Sequence, residues 1–182
     1  GLVAGMRGFT DNLNSLYTTA PTFGIFLSYF FDLRMAFQFG FNTGDHAFEV
    51  RTSGSTPKIM TGNVSITQMH LAMKYYLNTQ NVTKGLADLN PYIIGGFSQV
   101  YRTTTLSDAE GFGRETTMGM DGGIGLEIPL MRRKAFFGIQ GTYHYVNFKD
   151  EASNIKLTDG TDTGVKPSGD MFDILGIIGL NF

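Results

Sequence analysis

Residues 33–42 read Leu33-Arg34-Met35-Ala36-Phe37-Gln38-Phe39-Gly40-Phe41-Asn42. Odd positions are large and apolar; even positions are polar or small. A period of two sends alternate side chains to opposite faces of a strand, whereas a helix needs a period near 3.6. This stretch therefore reads as a strand with one apolar and one polar face.

The same alternation recurs on both sides of it. Met69, Leu71, Met73, Tyr75 and Leu77 oppose Gln68, His70, Ala72, Lys74 and Tyr76. Met118, Met120, Gly122, Ile124, Leu126 and Ile128 oppose Thr117, Gly119, Asp121, Gly123, Gly125 and Glu127. Weaker versions run through 20–31, 134–148 and 170–182, a short strand opens the chain, and Pro91–Arg102 is strand-like with unassigned faces. The expected strands are 1–9, 20–31, 33–43, 59–78, 90–104, 115–129, 134–148 and 170–182. Residues 10–19, 44–58, 105–114 and 149–169 read as polar loops. Tight turns lie near Phe31-Asp32 and Pro129–Arg133, and 78–89 is longer than a tight turn. Long loops at one end and short turns at the other are the pattern of an outer-membrane barrel.

Composition narrows the choice. Charged residues make up 16% of the 182-residue chain, against about 25% in soluble domains. A net charge of −2 gives no electrostatic reason to expect nucleic acid. Cys is absent, which excludes disulfides and thiolate metal sites. No run of 18 apolar residues offers a transmembrane helix. No signal peptide precedes the first strand. An exported barrel needs one, so the expectation is a single outer-membrane barrel domain over 1–182, trimmed at the N-terminus.

A soluble barrel would bury its large apolar residues and expose charge. Here the uncharged face carries Phe, Leu, Ile, Met and Tyr, and the other carries Gly, Ala, Ser, Thr, Gln and isolated charges. Such an exterior aggregates in water. Lipid accepts it, and closure of the barrel pairs every backbone group without water. The fold class is thus all-β: an eight-stranded antiparallel up-and-down transmembrane β-barrel. Two aromatic belts are expected, from Tyr29, Tyr75, Tyr92 and Phe182 at the turn end and from Phe9, Phe41, Tyr101, Tyr145 and Phe172 at the loop end.

The terminal pattern Ile178, Leu180, Phe182 resembles the OmpA- and OmpX-type family of eight-stranded barrels, as do Pro91–Gly96 and Gly123–Glu127. The resemblance is one of pattern over the whole chain. It implies that Phe182 is an assembly signal read by the barrel assembly machinery. It also implies a bacterial outer-membrane location, with membrane lipid and lipopolysaccharide as surroundings.

Inward charges are the polar residues of most interest: Arg7, Arg34, Lys74, Asp121, Glu127 and Asp173. They sum to zero, and an unpaired buried charge is expensive, so a lumen charge network is expected. Arg7 and Asp173 should meet where the first and last strands close the barrel, with Asp121 in reach. Arg34, Lys74 and Glu127 should form a second cluster. Among the histidines, His46 falls in an expected loop, while His70 and His144 face the lumen. No spacing supports a catalytic, metal or cofactor site. Asp159–Gly164 alternates Asp with turn residues but lacks the spacing and closing Glu of an EF-hand loop. Asn63-Val64-Ser65 and Asn81-Val82-Thr83 match the glycosylation sequon, which a bacterial barrel does not normally use.

The resulting expectation is a non-enzymatic structural, anchoring or interaction barrel, alone or as accessory subunit of an envelope complex. Residues 149–169 are the best candidate for contact with a protein partner. A narrow pore is the first alternative, although eight strands leave room inside only for side chains. A lipid-modifying enzyme is the second.

Overall fold

Through nearly all of the alternating stretches the backbone is extended. A computed structural model describes residues 1–52, 57–77, 89–106, 112–131, 134–156 and 160–181, without the side chains of 106 and 112. Eight strands follow in chain order: β1 Leu2–Phe9, β2 Ala20–Asp32, β3 Met35–Arg51, β4 Ile59–Tyr76, β5 Asn90–Leu106, β6 Phe112–Leu130, β7 Ala135–Val146 and β8 Met171–Leu180. Each pairs antiparallel with its sequence neighbour, and β1 pairs with β8, so the sheet is a closed barrel without crossovers. A short helix, α1 (Asp11–Leu16), lies between β1 and β2. The closing register sets Leu2 opposite Ile178 and Arg7 opposite Asp173.

Over the lower part of the barrel the exterior is apolar. Leu27, Phe39, Leu71, Phe97, Ile124, Ile139, Ile174 and Leu180 all point outward and are exposed, Ile124 by 68% and Leu180 by 69%. The inner face of the same strands carries Arg7, Gln38, Asn42, Gln68, Lys74, Ser98, Glu127, Gln140, His144 and Asp173, all buried. Small inward residues make room for large ones across the ladder. Tyr92 pairs with Gly125, and a Cβ at Gly125 would lie 2.2 Å from the Tyr92 ring. Gly40 pairs with His70, and a Cβ there would lie 2.1 Å from the imidazole.

Several boundaries differ from the sequence expectation. The span 44–58 is strand as far as Arg51, paired residue by residue from Thr43↔Thr67 to Arg51↔Ile59. His46 accordingly sits in β3 with its side chain buried, not in a loop. β5 likewise runs to Leu106 and β6 begins at Phe112. The physical reason is an inversion of faces. In lower β3 the apolar residues Phe37, Phe39 and Phe41 point outward; above Thr43 the outward positions are Asp45, Ala47, Glu49 and Arg51, while Phe48 and Val50 are buried. β4 does the same: Val64 and Ile66 point in, Asn63 and Ser65 out, and below them Gln68 points in and Leu71 out. Alternation persists, but the sides exchange, so a search for outward apolar residues stops too early.

Two expected belt residues are also inside the barrel. Phe9 is 3% exposed and Tyr92 1% exposed. Tyr29, Tyr75, Phe41, Tyr101 and Tyr145 do lie on the outer surface. Phe182 lies outside the described residues, as do most of 78–89 and Asp159.

Candidate functional site

Three layers fill the lumen. The order along β4 is Val64 and Ile66, then Gln68 and His70, then Ala72; along β8 it is Met171, Asp173, then Leu175 and Ile177. The upper layer is an apolar cluster containing Phe9, Phe48, Val50, Met60, Val64, Ile66, Val100, Val146, Phe148 and Met171. Leu13, Leu16 and Tyr17 close it from above, because α1 folds back over the barrel mouth. The lower layer contains Val3, Phe26, Ala72, Tyr92, Ile94, Leu175 and Ile177.

Between them lies the polar layer, centred on Arg7. Its Nε donates to Asp173 Oδ1 and its Nη2 to Asp173 Oδ2, each at 2.8 Å. Nη2 also reaches Asn42 Oδ1 at 3.0 Å and Gln68 Oε1 at 2.9 Å. The fork matches the carboxylate in the bidentate manner that makes arginine pairs strong. Asp121 does not touch Arg7 directly. It lies one step away, with Oδ1 2.8 Å from His144 Nδ1 and accepting from Ser98 Oγ at 2.8 Å. His144 lies between the two carboxylates, with its Nε2 3.3 Å from Asp173 Oδ2 but without hydrogen-bond geometry toward it. A cavity of about 10 Å³ remains here, lined by Asn42, His70, Asp121, His144 and Asp173 among others. That is space for about one water molecule.

The second charge cluster has two of its three expected members. Lys74 Nζ donates to Glu127 Oε1 at 2.8 Å, and Tyr76 donates to Glu127 Oε2 at 3.0 Å. Lys74 Nζ also sits 4.2 Å from the centre of the Tyr92 ring, which offers the cation its negative face. Arg34 is not part of this cluster. It is exposed in the two-residue turn between β2 and β3. The alternation read through 33–42 carries past a chain reversal at Leu33-Arg34, where residue parity no longer maps onto the faces of the barrel.

A third polar cluster, absent from the sequence reading, ties the cap together. Arg102, on β5, is 5% exposed and donates through Nη1 to Tyr17 Oη at 3.1 Å. Its Nη2 bonds Glu115 on β6 and Asp150 beyond β7, the latter at 2.5 Å. The guanidinium carbon lies 4.3 Å from the Phe148 ring centre. Burial pushes the Tyr17 phenol above its ordinary value, so it stays a neutral acceptor toward Arg102. The only sequence cue was an arginine at the end of a strand whose faces alternation left unassigned.

Among the described residues, no group of three or more His, Cys, Asp or Glu side chains is placed to hold a metal ion. No helix among them is long and apolar enough to cross a membrane, which says nothing about strands.

No family model matches the sequence, and no curated protein matches it. Among solved structures, the crystal structure of the N-terminal β-barrel domain of Pseudomonas aeruginosa OprF is similar. The TM-score is 0.53 at 17% identity, over 100% of this chain and 96% of that one. The likeness is one of fold: a closed antiparallel barrel matched over nearly the full length of both chains.

Proposed function

We propose that this chain is an integral outer-membrane β-barrel with a structural, anchoring role, and that it neither conducts nor catalyses. The observation that carries the reading is the division of its surfaces. An apolar collar faces outward, while the lumen is closed by an apolar layer, a paired polar layer and a second apolar layer. From Met69 on β4 to Leu77 just past its end, the outward residues span about 27 Å at about 3.4 Å per residue. With strands tilted by about 40° that gives a collar roughly 20 Å tall, close to the apolar band of about 25 Å in outer-membrane barrels. Water offers such a collar nothing; lipid does. The likeness to the OprF barrel domain supports the same location.

A filled lumen argues against the pore reading. Ions would have to displace Phe48, Val64 and Val100 above and Tyr92 and Ile177 below, all buried side chains in contact within their layers. The anchor leaves its loop face available for contact. An open cleft of about 550 Å³ lies there, lined by Asn14, Thr18, Glu49 and Asn63 among others. A protein of the envelope is the expected kind of partner, with lipopolysaccharide around the collar and the barrel assembly machinery acting through Phe182.

Reconstitution tests the reading in two measurements. Folded protein should insert into lipid vesicles and migrate differently on a gel before and after boiling, as closed barrels do. In a planar bilayer it should add no stepwise conductance. Failure to insert would refute the membrane role; steady unitary steps would refute the plugged lumen and favour a pore.

A further inference from the structure

Above the apolar collar, one sector of the barrel separates its charges by face. On β6 the sequence Arg114-Glu115 points arginine outward and glutamate inward; beyond β7, Lys149-Asp150 points lysine outward while aspartate turns toward the cap. Both acids are occupied by Arg102. Arg114 and Lys149 are exposed, and neither side chain has a hydrogen-bond or ion-pair partner among the described residues.

The two cations belong to one facet. The Lys149 backbone N–H donates to Glu115, the residue next to Arg114. The Thr117 hydroxyl donates to the Asn147 carbonyl at 2.7 Å, which ties the same two chain segments together lower down. Directly below, the outward residues are Met118 and Met120 on β6, Tyr145 on β7 and Tyr101 on β5, paired as Met120↔Tyr145 and Tyr101↔Thr116. Aromatic rings mark the level of lipid headgroups. From Met118 to Arg114 is four residues, about 14 Å along the strand, so at barrel tilt the Arg114 backbone stands roughly 10 Å above the apolar edge. The headgroup region reaches about 5–8 Å beyond the hydrocarbon core, so the long arginine side chain can bend down to its phosphates. On the β3 sector of the rim the pattern differs: Arg51 is already paired with Glu49 at 2.5 Å, and Asp45 points outward beside them.

We propose that Arg114 and Lys149 form a docking facet for the phosphates of a phosphorylated glycolipid in the outer leaflet, seated with its acyl chains on Met118, Met120 and Tyr145. The proposal rests on the membrane reading above. An ammonium and a guanidinium on adjacent segments offer a point charge and a planar fork to one polyanionic headgroup. The collar beneath supplies the apolar surface that a free anion has no use for.

The test uses the whole chain refolded in phosphatidylcholine nanodiscs, with insertion and boiling-dependent migration established first. Failure at that stage refutes the membrane reading and this proposal with it. Bis-phosphorylated lipid A and its dephosphorylated form are then titrated in, and bound lipid is counted by native mass spectrometry. Lipid A should bind the native protein, and R114E with K149E should weaken it at least about tenfold, because each basic residue near a charged surface contributes separately. The dephosphorylated lipid should bind weakly to both. R51E, on another sector, should leave lipid A binding unchanged. Equal retention by the double variant, or equal binding of the dephosphorylated lipid, overturns the proposal. Displacement by millimolar inorganic phosphate overturns the lipid as the source of the anion.

Discussion

Replacing Asp173 by alanine strands a guanidinium that has nowhere to go. Arg7 is 0% exposed, and two of its hydrogen bonds, both 2.8 Å long, end on the Asp173 carboxylate. Asn42 and Gln68 would still accept from Nη2, but neither carries charge. Breaking one side of a buried pair costs about 3–5 kcal/mol. With a urea slope of about 1–3 kcal/mol per molar, the unfolding midpoint should fall by about 1–5 M. Adding Arg7→Met removes the stranded charge while keeping most of the volume. The double variant should then sit well above the sum of the two single losses, with a coupling energy of roughly 2–3 kcal/mol. The assay is reversible urea unfolding in lipid vesicles on the four proteins of the cycle. Strictly additive losses would mean that the two side chains do not meet, and would refute the closing register Arg7↔Asp173 together with the polar layer built on it.

Other expectations test the remaining layers. Gly125→Val should cost about 1–3 kcal/mol by overpacking against Tyr92, and Tyr92→Leu in that background should recover part of the loss; urea midpoints decide. Arg102→Ala should free α1 and the segment after β7, so that limited proteolysis gains cuts within 10–19 and 147–170 while the barrel stays protected; an unchanged digestion pattern counts against Arg102 as the tie. Deleting Phe182 should lower the folded amount in the outer membrane more than loss of a fraying terminus would, and wild-type levels would remove its role as an assembly signal.

Strand number, order and the face of most residues were legible because a period of two is a geometric property of extended chain. Arg7 and Asp173 could be paired from sequence for the same reason: both lie near the same ends of the two strands that must close the barrel. Arg34 could not be placed, because alternation carries no mark of the turn that resets it. Tyr92 and Phe9 were misplaced on the outside, since an aromatic at a strand end suits a lipid belt or an interior layer equally. What tells them apart is the partner across the ladder, as Gly125 does for Tyr92. Arg102, Glu115 and Asp150 come from three separated segments, and only the folded barrel gathers them.

The exchange of faces at Thr43 on β3, and near Gln68 on β4, fixes more than an interior. It fixes the upper edge of the apolar collar. In the membrane role proposed above, the collar just below the exchange belongs in hydrocarbon and the rim above it in headgroups and water, so sliding along the membrane normal would bury Asp45 and Glu49 or wet Phe41 and Leu71. A closed barrel also lacks the freedom to shorten that a tilting helix has. Hydrophobic mismatch costs fractions of a kcal/mol per Å, and the bacterial outer membrane is thinner than average. A collar of about 20 Å therefore favours that membrane over thicker ones, and vesicles of longer-chain lipid should fold the protein more slowly and less completely.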